Sequence, residues 1–167
     1  MSNSITTISL RFVLLVLVQV LLCNNINFLG YINPYIYILF ILIYPVNNNR
    51  ILFLFLSFLI GMSIDTFLDS GGVHAAASVF IAYARPLFLK FSFGTLYEYQ
   101  TIKFSSTDLG NLSIYVLLLA FIHHFMLFSL EIFNISNIIL IIQKTLFSSI
   151  FTLIVCVLLI ILFGRRK

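Results

Sequence analysis

The stretch Phe12 to Asn49, FVLLVLVQVLLCNNINFLGYINPYIYILFILIYPVNNN, holds 38 residues without one charge. A helix crosses the hydrocarbon of a bilayer with about 20 apolar residues, so this stretch is long enough to cross twice. The break falls between Asn24 and Pro34, where asparagines, Gly30 and Asn33-Pro34 favour turns over helix. Spans are expected at about 8–23 and about 34–46.

The remainder of the chain repeats this character. Of its 167 residues 62% are hydrophobic and 8% charged, against roughly 25% charged in an ordinary soluble domain. With a mean hydropathy of +1.16 the chain has too few polar groups to cover a core in water, which excludes a water-soluble globule. The net charge of +4 follows from nine basic and five acidic residues. Membrane proteins collect Lys and Arg on the cytoplasmic side, so this excess needs no nucleic-acid partner.

Cys23 and Cys156 lie far apart, without the spacing of a zinc or dithiol site, and read as small apolar fillers. The first apolar run leads into Asn24-Asn25-Ile26-Asn27 with no small-x-small cleavage site, so it is expected to stay as a helix.

After the polar turn Pro45 to Arg50, a third span is expected at about 51–68, ending at Asp65 and its neighbours. The reversal Asp65-Thr-Phe-Leu-Asp69-Ser-Gly-Gly72 leads into a small-residue span at about 73–90, in which Gly72 and Ala76, then Ser78 and Ala82, stand four apart. Small residues at that spacing let membrane helices approach closely, and this span is expected to be the packing centre. Phe91 to Asn111 forms the one extended loop, where Ser105-Ser106-Thr107-Asp108 suits a helix start. Spans at about 112–130 and 138–163 complete an all-α bundle of six, a single transmembrane domain over 1–167 with no internal repeat. Placing both termini in the cytoplasm puts eight of the nine basic residues on that side and Asp65, Asp69 and Glu131 on the other.

Few residues could carry chemistry. Asp65 and Asp69 are four apart, as on one helical face, with His74 just beyond; the spacing matches no strong metal pattern and fits a helix cap, a solvated turn or an interhelical hydrogen bond. Arg85-Pro86 lies late in its span, where the proline removes a backbone bond and Arg85 either snorkels to the headgroups, joins a salt bridge in the bundle or anchors a partner. Gly61-Met62-Ser63-Ile64 with His123 and His124 is similar to the serine and histidine dyad of a rhomboid-type protease, but Ile64 stands where that family has its second glycine. Gly61 and Ser63 read better as packing residues. Adjacent in a helix, His123 and His124 point about 100° apart and cannot clamp one metal; Lys144 is expected to pair with Glu131. No phosphate loop, nucleotide motif or cofactor motif is present, and the chain is expected not to be an enzyme.

The whole architecture resembles the MreD family, the small integral membrane component of the bacterial rod-shape machinery. The resemblance rests on Gly61-Met-Ser-Ile-Asp65, on Asp69-Ser-Gly-Gly-Val-His74, on Ala75-Ala-Ala-Ser78 through Arg85-Pro86, and on Asn33-Pro34-Tyr-Ile-Tyr-Ile-Leu-Phe40. It implies a non-catalytic scaffold of the bacterial inner membrane that binds the bitopic protein MreC. Through MreC it would link the peptidoglycan polymerase and transpeptidase to MreB filaments, and it admits a homodimer. It also implies a likeness to the six-helix substrate-binding subunits of energy-coupling vitamin transporters, so a small-molecule-binding subunit is the alternative. Expected contact or packing residues are Asp65, Asp69, Gly72, His74, Ala76, Ser78, Ala82 and Arg85, with lipid and protein as the partners and no metal or cofactor.

Overall fold

The computed structural model describes residues 5–26, 28, 32–98, 102–104 and 107–164. Their helices are α1 (Ile5–Leu21), α2 (Ile38–Ile43), α3 (Arg50–Leu68), α4 (Val73–Phe93), α5 (Thr95–Glu98), α6 (Leu109–Ile132) and α7 (Ile138–Gly164). Five of them, α1 with its 3-10 extension, α3, α4, α6 and α7, are long and apolar enough to cross a membrane. The chain is a multi-span α-helical membrane protein. Gly30, Ser105, Ser106 and the basic tail Arg165 to Lys167 fall outside the described residues.

Local chemistry sets the helix ends. Asn49 Oδ1 accepts the free N–H groups of Ile51 and Leu52 at the start of α3. Asp108 Oδ2 does the same for Asn111 at the start of α6. Helix α3 ends where Asp69 turns left-handed (φ 52°), and Gly71 and Gly72 continue the reversal at φ 69° and 95°. A positive φ twice in succession is cheap only for glycine.

The hairpin then closes tightly. A Cβ placed on Gly61 would lie 2.5 Å from Ala75 Cα and 2.5 Å from the His74 carbonyl oxygen, so only hydrogen fits between α3 and α4 there. Ala75, Ser78, Ala82 and Arg85 follow one another on the buried face of α4. The expected Gly72 and Ala76 pair takes no part: nothing comes within 4 Å of a Cβ on Gly72, and Ala76 is exposed. Ala76 is one residue past Ala75 and so points about 100° off the packed face. Helix α4 packs on α3 and α6, and α7 packs on α6, with Thr145, Ser148, Ser149, Thr152 and Cys156 of α7 all buried.

The expected second span, 34–46, is not a spanning helix. Only Ile38–Ile43 is helical, between Pro34 and Pro45, and six residues at 1.5 Å each rise about 9 Å. This segment nevertheless runs through the bundle: its early part touches Gln19 late in α1, Phe40 meets Phe12 ring edge to ring at 5.6 Å, and Leu42 and Tyr44 reach Arg85 far along α4. Ile36 to Leu42 are all buried, at 6% exposure or less. A broken backbone is tolerated at membrane depth only inside protein, where other groups satisfy its N–H and C=O.

Candidate functional site

Three polar clusters supply those partners or brace their surroundings. The first caps α4 from α3. Asp65, 4% exposed, accepts from the Ser70 hydroxyl (2.6 Å) and the His74 N–H (3.0 Å) through Oδ1, and from the Ala75 N–H (2.8 Å) through Oδ2. Two orphan amides of α4 are thereby bound by an anion at the positive end of the helix dipole. Asp69 does not share this face. It sits in the turn with its side chain exposed, because the helix ends one residue earlier at Leu68.

The second cluster joins all three histidines of the chain around Tyr35 and Tyr37. The Tyr37 hydroxyl lies 2.9 Å from His74 Nδ1 and 2.7 Å from His123 Nε2. The Tyr35 N–H donates to Thr152 Oγ1 at 3.0 Å, which lies 3.2 Å from His124 Nε2, while His124 Nδ1 lies 2.5 Å from the Ala120 carbonyl. This fixes the His124 tautomer: Nδ1–H donates to Ala120, and Nε2 accepts from Thr152. The Tyr35 ring contacts His74, His123, His124 and Phe128. Gln19, wholly buried in α1, completes the set by accepting the Tyr37 N–H through Oε1 and donating to the Pro34 carbonyl and Asn24 Oδ1 through Nε2.

Arg85 anchors the third. Its side chain does not snorkel; Arg85 is 3% exposed and donates Nε to the Tyr115 hydroxyl (2.9 Å) and Nη2 to the carbonyls of Leu42 (3.1 Å) and Tyr44 (2.5 Å). No carboxylate pairs with it among the described residues. Tyr115 donates in turn to Leu42 at 2.9 Å, and the guanidinium lies 5.2 Å from the Phe53 ring centre. The cation therefore serves as a donor to the freed carbonyls at the C-terminal end of α2, a favourable use of its charge at a negative helix end. Pro86 follows inside the helix.

Near the first cluster, a cleft of about 360 Å³ opens at the Asp65 end of the bundle, with Asn24, Asn33, Tyr35, Ser70, His74 and Glu131 among its walls. Glu131 pairs with Lys144 at 3.5 Å as expected, and Lys144 also lies 5.1 Å from the Phe128 ring centre.

No protein family, curated protein or solved structure matches this chain.

Among the described residues no three His, Cys, Asp or Glu side chains are grouped to hold a metal. The Ser63 hydroxyl donates to the Leu59 carbonyl of its own helix at 2.8 Å, and the two rings that would have to activate it are engaged by Tyr37, Thr152 and Ala120. Cys23 and Cys156 are free thiols in the interior. Of the residues singled out in the sequence, Asp65, His74, Ser78, Ala82 and Arg85 are buried, while Asp69, Gly72 and Ala76 are not. The residues sequence reasoning missed are Gln19, Tyr35, Tyr37, Tyr115 and Thr152. Gln19 alone left a trace, as the only amide between Phe12 and Cys23.

Proposed function

We propose that this chain is a non-catalytic scaffold of the bacterial inner membrane, acting as MreD does in the cell-elongation complex by binding an MreC-like bitopic protein. One observation carries the reading. Two residues of its most distinctive motifs hold α3 and α4 together, Gly61 by close approach to Ala75 and Asp65 as a cap on the His74 and Ala75 amides. Those residues give a tight hairpin, and the connections from α3 to α4 and from α6 to α7 are short. Helices α1 and α7 keep large apolar side chains such as Leu14, Leu17, Ile150, Ile154 and Leu158 turned outward, so helix faces are the surfaces available to lipid or to a partner helix.

Orientation belongs to the same proposal. Counting the broken segment as a crossing, the described chain passes through the bundle six times, and the start of α1 and the end of α7 share one side. Arg50, Lys90 and Lys103 belong to the end opposite Asp65 and Glu131, and this bias of basic residues supports the cytoplasm as that end's side. Partners on the cytoplasmic side would be MreB-like filaments; the polymerase and transpeptidase would be reached through the bitopic partner within the membrane.

The test is a pull-down of the tagged full chain from native membranes. The expected result is co-purification of a bitopic MreC-like chain and rounding of rod-shaped cells on depletion. Recovery of the chain alone, with cell shape unchanged on depletion, contradicts the scaffold.

A further inference from the structure

We propose that the cleft at the Asp65 end binds a small zwitterion of amino-acid size, a function that does not depend on the scaffold reading. The cleft is built where the 3-10 turn after α1, the start of the broken segment, the α3–α4 turn and the last turn of α6 meet. Its size, about 360 Å³, lies at the lower end for small-molecule sites, which run from about 300 to 1,000 Å³.

Hydrogen-bond bookkeeping sets the ligand's chemistry. The Tyr37 hydroxyl has one proton to give and sits between His74 Nδ1 and His123 Nε2. His123 Nδ1 is buried with no hydrogen-bond partner. An unpartnered acceptor is tolerated there better than an unpartnered N–H, so His123 carries its proton on Nε2 and gives it to Tyr37. Tyr37 then donates to His74 Nδ1, which leaves the His74 proton on Nε2, a ring nitrogen with no hydrogen bond among the described residues. His74 is 4% exposed and lines the cleft, so a buried N–H donor belongs to its wall.

Asn24 adds a second donor. Its Oδ1 accepts from Gln19, and its Nδ2 is the amide donor of the same side chain. Two N–H donors among the lining side chains fit a carboxylate. The one carboxylate among the named lining residues is Glu131; its Oε1 lies 3.5 Å from Lys144 Nζ, and a carboxylate has a second oxygen with which to accept from an ammonium. The Tyr35 ring supplies an apolar wall for the carbon between the two charges.

The experiment uses the full chain purified in detergent. The chain has no tryptophan, and both cysteines are buried thiols, so unfolding is followed with a thiol-reactive dye that reports Cys23 and Cys156 as they open. Each proteinogenic amino acid is tested beside the matching amine and the matching carboxylic acid. At least one amino acid is expected to raise the unfolding temperature by about 2–4 °C, with neither analogue doing so. The shift is expected to vanish in Glu131→Gln, a change at the half-exposed rim that leaves the core untouched, and in His74→Ala, and to return in His74→Gln, which restores an N–H donor. The proposal is overturned if no amino acid shifts the folded wild-type chain, if an amine or an acid alone shifts it as much, or if Glu131→Gln keeps the full shift. None of these outcomes bears on co-purification with an MreC-like chain.

Discussion

The α3–α4 hairpin and the broken segment from Ile32 to Val46 satisfy the same requirement in opposite ways. The hairpin is local: Asp65 binds amides nine and ten residues on, and Gly61 meets Ala75 across one turn. The broken segment draws its partners from far along the chain, with Gln19 bonded 15 residues away, Arg85 43, Tyr115 73 and Thr152 117. Inside a bilayer an unsatisfied backbone group costs several kcal/mol, so a chain that gives up its helix must be held by side chains. One region depends on neighbours in sequence, the other on the whole fold.

If that difference is real, the deepest losses come from the partners of the broken segment. Arg85→Leu removes the donor to both the Leu42 and Tyr44 carbonyls, and is expected to cost about 3–4 kcal/mol, since bonds from a charged donor contribute about 1.5–3 kcal/mol each. Thermal unfolding followed through the buried cysteines reads this directly; a loss under about 1 kcal/mol would show that the carbonyls find other partners. Asp65→Ala comes next, at about 2–3 kcal/mol, because the His74 and Ala75 amides and the Ser70 hydroxyl lose one shared acceptor. Unlike Arg85→Leu, it should loosen the α3–α4 turn while sparing residues 38–43, a distinction that backbone hydrogen exchange can resolve.

Gly61→Ala sets a single methyl against backbone and is expected to cost about 2 kcal/mol, the scale of an overpacked core. Gln19→Leu removes one amide that serves Pro34, Tyr37 and Asn24, with a loss of about 1–2 kcal/mol. The smallest effect belongs to Ala76→Leu, within about 0.5 kcal/mol, because Ala76 faces outward. Unchanged unfolding together with weakened co-purification of a partner would mark that outward face of α4 as an interface.

These two regions also explain what the sequence made legible. Apolar runs longer than a bilayer, bounded by Asn49, Asp65 and Asp108, are local signals, and they located α1, α3, α4, α6 and α7. Asp65 as a cap and Lys144 with Glu131 were readable for the same reason: each partner lies within about four turns of chain. The segment from Pro34 to Pro45 looked like another apolar run because periodicity cannot tell a spanning helix from a buried irregular strand of backbone. Its real partners, Gln19, Tyr115 and Thr152, are polar residues scattered along largely apolar helices, and only the fold brings them to it. The same holds for the cleft, whose walls come from four separate stretches. Ala76 was misplaced by a different route: the four-residue spacing of small residues names a face without saying which of the neighbouring faces is packed.

Hydrogen exchange over residues 35–44, measured on the full chain in lipid nanodiscs, tests most directly whether the broken segment is held by side chains from distant helices. In the wild-type protein the amides of Tyr35, Tyr37, Leu39 and Phe40 are bonded to Thr152, Gln19, Ile36 and Tyr37, and they should exchange as slowly as those of α3. Arg85→Leu should speed this segment selectively. Wild-type exchange as fast as in residues 102–104, or a uniform response of every helix to Arg85→Leu, would contradict it.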